Sequence, residues 1–326
     1  MTEAMLNSLV EEAMLAPSVH NVQPTRWRKD GPSLILIEDM SRRLAVGDPR
    51  CNDADISLGA AYEGLRLAAS KRGMIMKSER ANLPDMQKPF RAVVRCQLES
   101  GSEIDPLSLM VEKRASWRGL FLPPSSEDRL LAQTLSAQDT TIVSDPEMLK
   151  LLAKQYDNAS YGFMRDSSFR KELCGWMRLR RKHPDWSRDG LNADAMAIGG
   201  IEALGAGIIL GPAFRFLDRL GIAPALLAEG SKIEGAAALA VFHRPVEEQP
   251  FESGAWFYRL WLRIEEAGFG ATVLAALADD TETATAISQT LGIPTNRRIV
   301  SAFRIGRRGK GQTAPRARLS LHETLI

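Results

Sequence analysis

The chain has 326 residues, of which 44% are hydrophobic and 25% charged, a composition that argues against disorder and allows either one large compact unit or two packed units. Its 42 basic and 40 acidic residues leave a net charge of +2, so there is no broad basic field of the kind that binds nucleic acid. Cys51, Cys96 and Cys174 are far apart and without CxxC spacing, which gives neither a disulfide framework nor a thiolate zinc site and fits a reducing, cytoplasmic setting. Glu3, Glu11 and Glu12 interrupt the N-terminal segment, so no secretory leader is expected.

Residues 2–15 place Met5, Leu6, Leu9, Val10, Ala13 and Met14 at helical spacing behind Thr2, a suitable N-cap. The loop Ala16-Pro17-Ser18-Val19-His20-Asn21-Val22-Gln23-Pro24 follows; on its residues alone it is a helix stop and a turn, stiffened by two prolines and rich in amide and hydroxyl groups. A buried strand is predicted over 33–38, a turn at Asp48-Pro49, a helix over 55–72 ended by Gly73 and a strand over 90–98. This order is helix, loop, strand, helix, strand. Beyond residue 106, a helix opened by Ser125 or Ser126 is predicted over 126–135, a strand over 141–143 and a helix over 146–161.

The stretch 163–234 is irregular, with the basic run Arg178-Leu179-Arg180-Arg181-Lys182-His183 and a Gly/Ala-rich apolar tract over 193–230. Glu202, Pro212, Arg215, Asp218 and Arg219 interrupt the tract, which speaks against a membrane span. An insertion that covers something is the preferred reading, and a surface amphipathic excursion or membrane-skimming helix the alternative. A strand over 236–243, a helix over 254–267 and a strand over 298–305 complete the chain. Gly59-Ala60, Leu65, Leu67 and Gly73 match Gly254-Ala255, Leu260, Leu262 and Gly268 at a constant offset of 195 residues, so each copy is expected to be a helix that begins at Gly-Ala and is capped by Gly.

Three further groups carry chemistry. Arg114-Ala115-Ser116-Trp117-Arg118 puts two guanidinium groups four residues apart around a serine hydroxyl; on a helix or helical turn they would share one face, a donor set suited to phosphate. Gly268-Phe269-Gly270, leading to Leu274 and Ala275, is by itself a helix cap and tight turn. Arg316 and Arg318 lie in a basic tail, which alone is a solvated segment. His183, His243 and His322 have no metal-ligand spacing, and no metal is expected.

Together these motifs resemble the FMN-dependent nitroreductase family, in particular its Acg-like tandem branch. The resemblance implies an α+β fold of two degenerate halves, residues 1–105 and 106–326, fused as an intramolecular pseudo-dimer with 163–234 as a helical lid. It implies that Pro17, Ser18, His20, Asn21 and Gln23 lie against the flavin ring. Arg114, Ser116, Arg118, Arg316 and Arg318 would grip the phosphate, and the Leu274 and Ala275 amides would reach the ring edge. In ordinary members the first group comes from one subunit and the others from its partner. Here the first half lacks the Arg-x-Ser-x-Arg signature and the second lacks Pro-Ser-x-x-Asn, so one flavin site between halves is expected.

Thr25 replaces the family's usual aromatic, and Trp27, on the same side of a strand, is placed to refill its space. The implied activity is electron transfer from NADH or NADPH through FMN to a nitroaromatic, quinone or similar small-molecule acceptor. The alternative is an FMN storage or sequestering protein with a covered flavin. No catalytic side chain is required, and neither nucleic-acid binding nor stable membrane insertion is expected, the chain being a monomer or a further dimer.

Overall fold

The computed structural model describes residues 2–81, 83, 86–101, 103–312 and 314–326. Helix α1 (Glu3–Ala13) opens at Thr2, whose hydroxyl accepts from the Met5 amide at 3.3 Å, and buries Leu6, Leu9, Val10 and Ala13 along one stripe. Strands β1 (Thr25–Asp30) and β2 (Ser33–Asp39), helix α2 (Asn52–Ser70) and strands β3 (Met74–Arg80) and β4 (Phe90–Ser100) follow, and the strands pair antiparallel in the order β1-β2-β4-β3.

The sequence reading omitted β1 and β3. Both are edge strands, and β3 carries the polar residues Lys77, Ser78, Glu79 and Arg80, so neither shows the continuous apolar signal of β2, which is buried along its whole length.

The rest of the chain builds α3 (Ser126–Gln133), β5 (Thr140–Val143) and α4 (Pro146–Arg165), with Ser125 and Asp128 closing a reciprocal cap at the start of α3. An insertion then contains α5 (Ser167–Trp176), the short parallel pair β6 (Met177–Arg178) and β7 (Leu191–Asn192), and α6 (Gly200–Leu210), α7 (Phe214–Arg219), α8 (Ala223–Leu227) and α9 (Gly230–Glu234). Strand β8 (Ala238–Pro245), α10 (Pro250–Glu266), β9 (Gly270–Val273), α11 (Ala276–Asp279), α12 (Thr281–Leu291) and β10 (Arg297–Gly306) follow, and α13 (Leu321–Thr324) lies near the end. The second sheet has the order β5-β8-β10-β9, again antiparallel.

The two sheets share one plan. In each, two strands precede a long helix, two follow it, and the last strand is interior. Helices α2 and α10 cross where Gly59 and Gly254 meet. A Cβ on Gly59 would lie 1.9 Å from the Phe251 carbonyl oxygen, and one on Gly254 would lie 2.2 Å from that of Ile56, so each glycine faces the residue three before the other. These glycines therefore lie inside helices beginning at Asn52 and Pro250, which corrects the expectation that Gly-Ala opens each helix. Close backbone approach, rather than initiation, is why the pattern holds glycine there.

The crossing also exchanges side chains. Tyr258 and Leu262 of α10 are buried in the first sheet's core, and Ile56 of α2 packs on the second. Gly59→Ala is expected to destabilise the chain by about 2–3 kcal/mol in denaturant titrations, because overpacking against a carbonyl outweighs the ~1 kcal/mol that alanine gains in helix propensity. An unchanged midpoint would show that the crossing can yield.

The segment 166–234 is fastened to residues 42–47. The Asp189 carboxylate, 2% exposed, accepts from Arg42 at 2.9 and 3.1 Å, Arg178 at 2.7 Å and Arg188 at 3.1 Å. Glu172 accepts from the Val46 and Gly47 amides. The C-terminal segment also returns to the first half, where the Ile326 amide donates to the Trp27 carbonyl at 2.9 Å. Among the described residues, no helix is long and apolar enough to cross a membrane.

Candidate functional site

Pro17 ends the first helical segment, and the loop after it turns tightly. His20, Asn21 and Gln23 take φ of 43°, 55° and 52°, a left-handed conformation that costs non-glycine residues of order 1–3 kcal/mol each. Local bonds hold it: the Gln23 amide donates to Ser18 Oγ at 3.0 Å, the Asn21 amide to the Ser18 carbonyl at 3.0 Å, and the Val19 amide to Ser57 Oγ at 3.2 Å.

The side-chain amides then staple three segments together. Asn21 Nδ2 donates to the carbonyls of Gly190 and Ala317 at 3.2 and 3.1 Å, while its Oδ1 accepts from Arg318 at 2.9 Å. Gln23 Nε2 donates to the Arg188 carbonyl at 2.9 Å, and its Oε1 accepts from the Leu319 amide at 2.9 Å. Both amides are thus fully engaged by the insertion and the C-terminal segment. Thr25 and Trp27 line one small cavity of about 30 Å³ with Pro17 and Ser18; Trp27 occupies that side of β1 as the alternation predicted.

The segment 114–118 is extended rather than helical, which corrects the expectation of a helical face. Ser116 bridges Ala271 in parallel and the Trp117 amide donates to the Ala271 carbonyl at 2.8 Å, so pairing beside β9 takes the backbone bonds a helix would need. In an extended chain alternate residues share a side, so Arg114, Ser116 and Arg118 remain on one side by a period of two.

The two arginines are now roughly 13 Å apart along the chain, because four extended residues rise about 3.3 Å each. Their side chains have different partners, the Leu15 carbonyl for Arg114 and the Ala195 carbonyl for Arg118.

Arg114 is 2% exposed, stacks 4.7 Å from the Trp261 ring centroid and 5.8 Å from that of Tyr258, and donates to the Leu15 carbonyl at 2.7 Å. Arg318 donates to the carbonyls of Met14 and Leu15 at 2.8 and 3.3 Å, and Arg316 to those of Glu112 and Arg114. Burial, followed by repulsion from Arg114 and Arg316, pulls the Arg318 guanidinium down to about 9. Four buried polar atoms here lack a hydrogen-bond partner: Arg114 Nε, Tyr258 Oη, Trp261 Nε1 and Glu265 Oε2. Three of these, Arg114 Nε, Tyr258 Oη and Trp261 Nε1, are donors that an anion beside the converging guanidinium groups would satisfy, whereas Glu265 Oε2 is a carboxylate oxygen of a side chain paired with Arg308.

At the other end Arg118 donates to the Ala195 carbonyl at 3.5 Å, in the insertion. Arg304 on β10 holds the carbonyls of Arg118 and Gly119 at 2.8 and 3.0 Å, leaves its Nη1 without a partner, and is pulled down to about 10 by burial. Burial, then Arg118, lowers His20 to about 4, so this imidazole is neutral at working pH. The Leu274 amide donates to the Ala302 carbonyl at 2.7 Å and its side chain is 2% exposed, so strand pairing takes the ring contact expected of that residue. Ala275, next in the chain, caps α11. Where α11 meets the start of α2, burial and then Asp48 raise the Asp279 carboxyl to about 7, and burial and then Asp279 raise that of Asp53 well above the ordinary carboxylate range.

Because the His20 pKa is depressed on folding, the unfolded chain binds the extra proton, and stability falls as pH drops from 6.5 toward about 4. The loss is expected to reach ~3 kcal/mol. His20→Asn, which tolerates the positive φ, should flatten the acid limb of a stability-versus-pH profile; an unchanged limb would assign the effect to other groups.

Sequence reasoning missed Tyr258, Trp261 and Arg304. Tyr258 and Trp261 are three apart on the buried face of α10, which they share with Glu265, and Arg304 interrupts the strand Ser301-Ala302-Phe303-Arg304-Ile305. A single charge inside an apolar strand was the available signal. The basic residues that follow it masked it.

The motifs at 16–24 and 114–118 resemble those of the nitroreductases, and proteins of that name are among those to which this chain is similar. No family model matches the chain. Over 84 residues, 26% of this chain, it is 32% identical to a protein named as the NAD(P)H nitroreductase acg, in two strains of Mycobacterium tuberculosis. The match spans a quarter of the length of those curated relatives.

Among solved structures, the FMN-dependent nitroreductase NfnB of Mycobacterium smegmatis, in complex with NADPH, is 18% identical, covering 66% of this chain and 94% of its own, with a TM-score of 0.38. A BluB-like flavoprotein of Clostridium difficile is 12% identical, covering 67% and 97%, with a TM-score of 0.39. A nitroreductase of Bacteroides fragilis with bound FMN is 12% identical, covering 64% and 91%, with a TM-score of 0.35.

Proposed function

We propose that this chain is an FMN-binding oxidoreductase of the nitroreductase type, a fused pseudo-dimer that holds one flavin between residues 1–105 and 106–326. Electrons pass from NADH or NADPH to a nitroaromatic, quinone or similar small acceptor. The observation that carries this reading is the convergence of the buried Arg114 with the half-buried Arg316 and Arg318, with Arg114 Nε and the Tyr258 hydroxyl left without partners. Burying like charges together is costly without an anion, and a phosphomonoester supplies one. The reciprocal Gly59 and Gly254 crossing and the common strand order support the pseudo-dimer.

FMN, when bound, supplies hydride acceptance and one- or two-electron release. The chain's residues bind and orient it. Arg114, Arg316 and Arg318 hold the phosphate end, with Ser116 beside them, and Arg118 holds the ring end with the loop of Pro17, Ser18 and His20. Asn21 and Gln23 act by fixing that loop to the insertion. Ala275 presents the turn near the ring edge, in place of the engaged Leu274 amide.

A second reading, flavin storage, is favoured by one observation: the insertion is tied to the motif loop at Asn21 and Gln23 and to Arg42 at Asp189, which would keep a nicotinamide from stacking on the ring. Anaerobic mixing of the FMN-loaded protein with NADH or NADPH separates the two. Rapid bleaching of flavin absorbance supports the oxidoreductase. Bleaching by dithionite but by neither nucleotide supports storage. Flavin bound per chain is expected near one in either case, and a value near two would sink the fused-site reading.

A further inference from the structure

We propose that the outward face of the insertion docks on an anionic lipid surface. Seven of the nineteen exposed large apolar side chains among the described residues fall between 201 and 226. They are ordered. Ile201, Leu204 and Ile208 are spaced by three and four along α6, so they form one stripe, at 88%, 56% and 57% exposure, while Ala203 and Leu210 face inward. Phe216 and Leu220, one turn apart, continue it beyond α6 at 64% and 54% exposure, with Phe214 turned into the protein under Arg170. A soluble helix normally shows solvent its polar face, and here the apolar face is outermost.

The charges around this face identify its occupant. Arg215 and Arg219 stand within it, and Arg180 and Lys182 lie on the segment that packs against α6 through Leu179. All four are exposed and none has an ion-pair partner among the described residues. The neighbouring carboxylates are engaged: Glu202 caps the Gly199 amide at 2.6 Å, Asp218 accepts from Tyr161, and Glu229 pairs with Lys232 at 2.6 Å.

A second copy docked about a two-fold axis through the middle of this face would bring Arg215 and Arg219 near the same residues of its mate, a repulsive arrangement. Anionic headgroups accept them, and the apolar stripe enters the acyl boundary. The attachment is peripheral, since no helix among the described residues can span a bilayer.

The test is co-sedimentation of the full chain with phosphatidylcholine vesicles, with and without phosphatidylglycerol. The expected result is binding enhanced about 10-fold or more by phosphatidylglycerol, since each basic residue near the surface contributes roughly 1 kcal/mol. Ile201→Glu with Leu204→Glu should abolish it, and Arg215→Glu with Arg219→Glu should remove its dependence on phosphatidylglycerol. All four positions face solvent, so the melting temperature should be unchanged, and flavin content reports separately on the cofactor site. Sedimentation with neither vesicle, or equally with both, would overturn the proposal. So would a dimer in light scattering that the Ile201→Glu, Leu204→Glu variant dissolves, because the face would then belong to a second copy.

Discussion

Arg114→Met is expected to weaken FMN binding by about 10- to 100-fold without lowering the stability of the ligand-free chain. A charge-assisted bond to a phosphate contributes ~1.5–3 kcal/mol, which corresponds to that range. In the ligand-free chain the same guanidinium is a cost: it is buried beside Arg316 and Arg318, its Nε has no partner, and burial depresses its pKa. Methionine keeps most of the volume against Tyr258 and Trp261 and removes the uncompensated charge. The Leu15 carbonyl that Arg114 holds retains Arg318 at 3.3 Å. Fluorescence titration of FMN and a denaturant melt of the same variant therefore move in opposite directions. Unchanged FMN affinity would remove the phosphate assignment, whereas loss of both would make Arg114 a structural residue.

Asp189→Ala is expected to cost about 3–5 kcal/mol, because it strands buried arginines without their carboxylate. The Asp189 side chain is 3% exposed, and those of Arg42 and Arg178 are 10% and 7% exposed. These are not surface pairs screened by water. The loss should be local first. Asp189 joins the insertion to the 3₁₀ turn at Met40–Arg42, so limited proteolysis should cut within 163–234 of the variant before either sheet unfolds. If storage is the function, the variant should also bleach with NADH where the parent does not. Equal proteolysis of parent and variant would mean that Glu172 and Asn21 hold the insertion without it.

These two residues differ in how far the sequence revealed them. Arg114 was marked by its spacing to Ser116 and Arg118, a signal that survived even though the segment is extended rather than helical, because periods of two and of four both return to one side. Asp189 had no such signal: its partners Arg42 and Arg178 are distant in the chain, and a lone aspartate in an irregular stretch looks solvated.

By itself the sequence determined what local physics determines. Thr2 and Ser125 set helix starts, the unbroken apolar run made β2, and Pro17 stopped the first helical segment, since capping, burial period and ring closure act within a few residues. Tertiary structure alone decided where non-local pairs meet. It placed Gly59 against Gly254, set Tyr258 and Trp261 over Arg114, spent the Leu274 amide on Ala302, and gave Arg118 and Arg304 different partners from those of Arg316 and Arg318. In each case the deciding term is the packing of elements far apart in the chain or the desolvation of a charge, and both depend on neighbours that sequence order does not list.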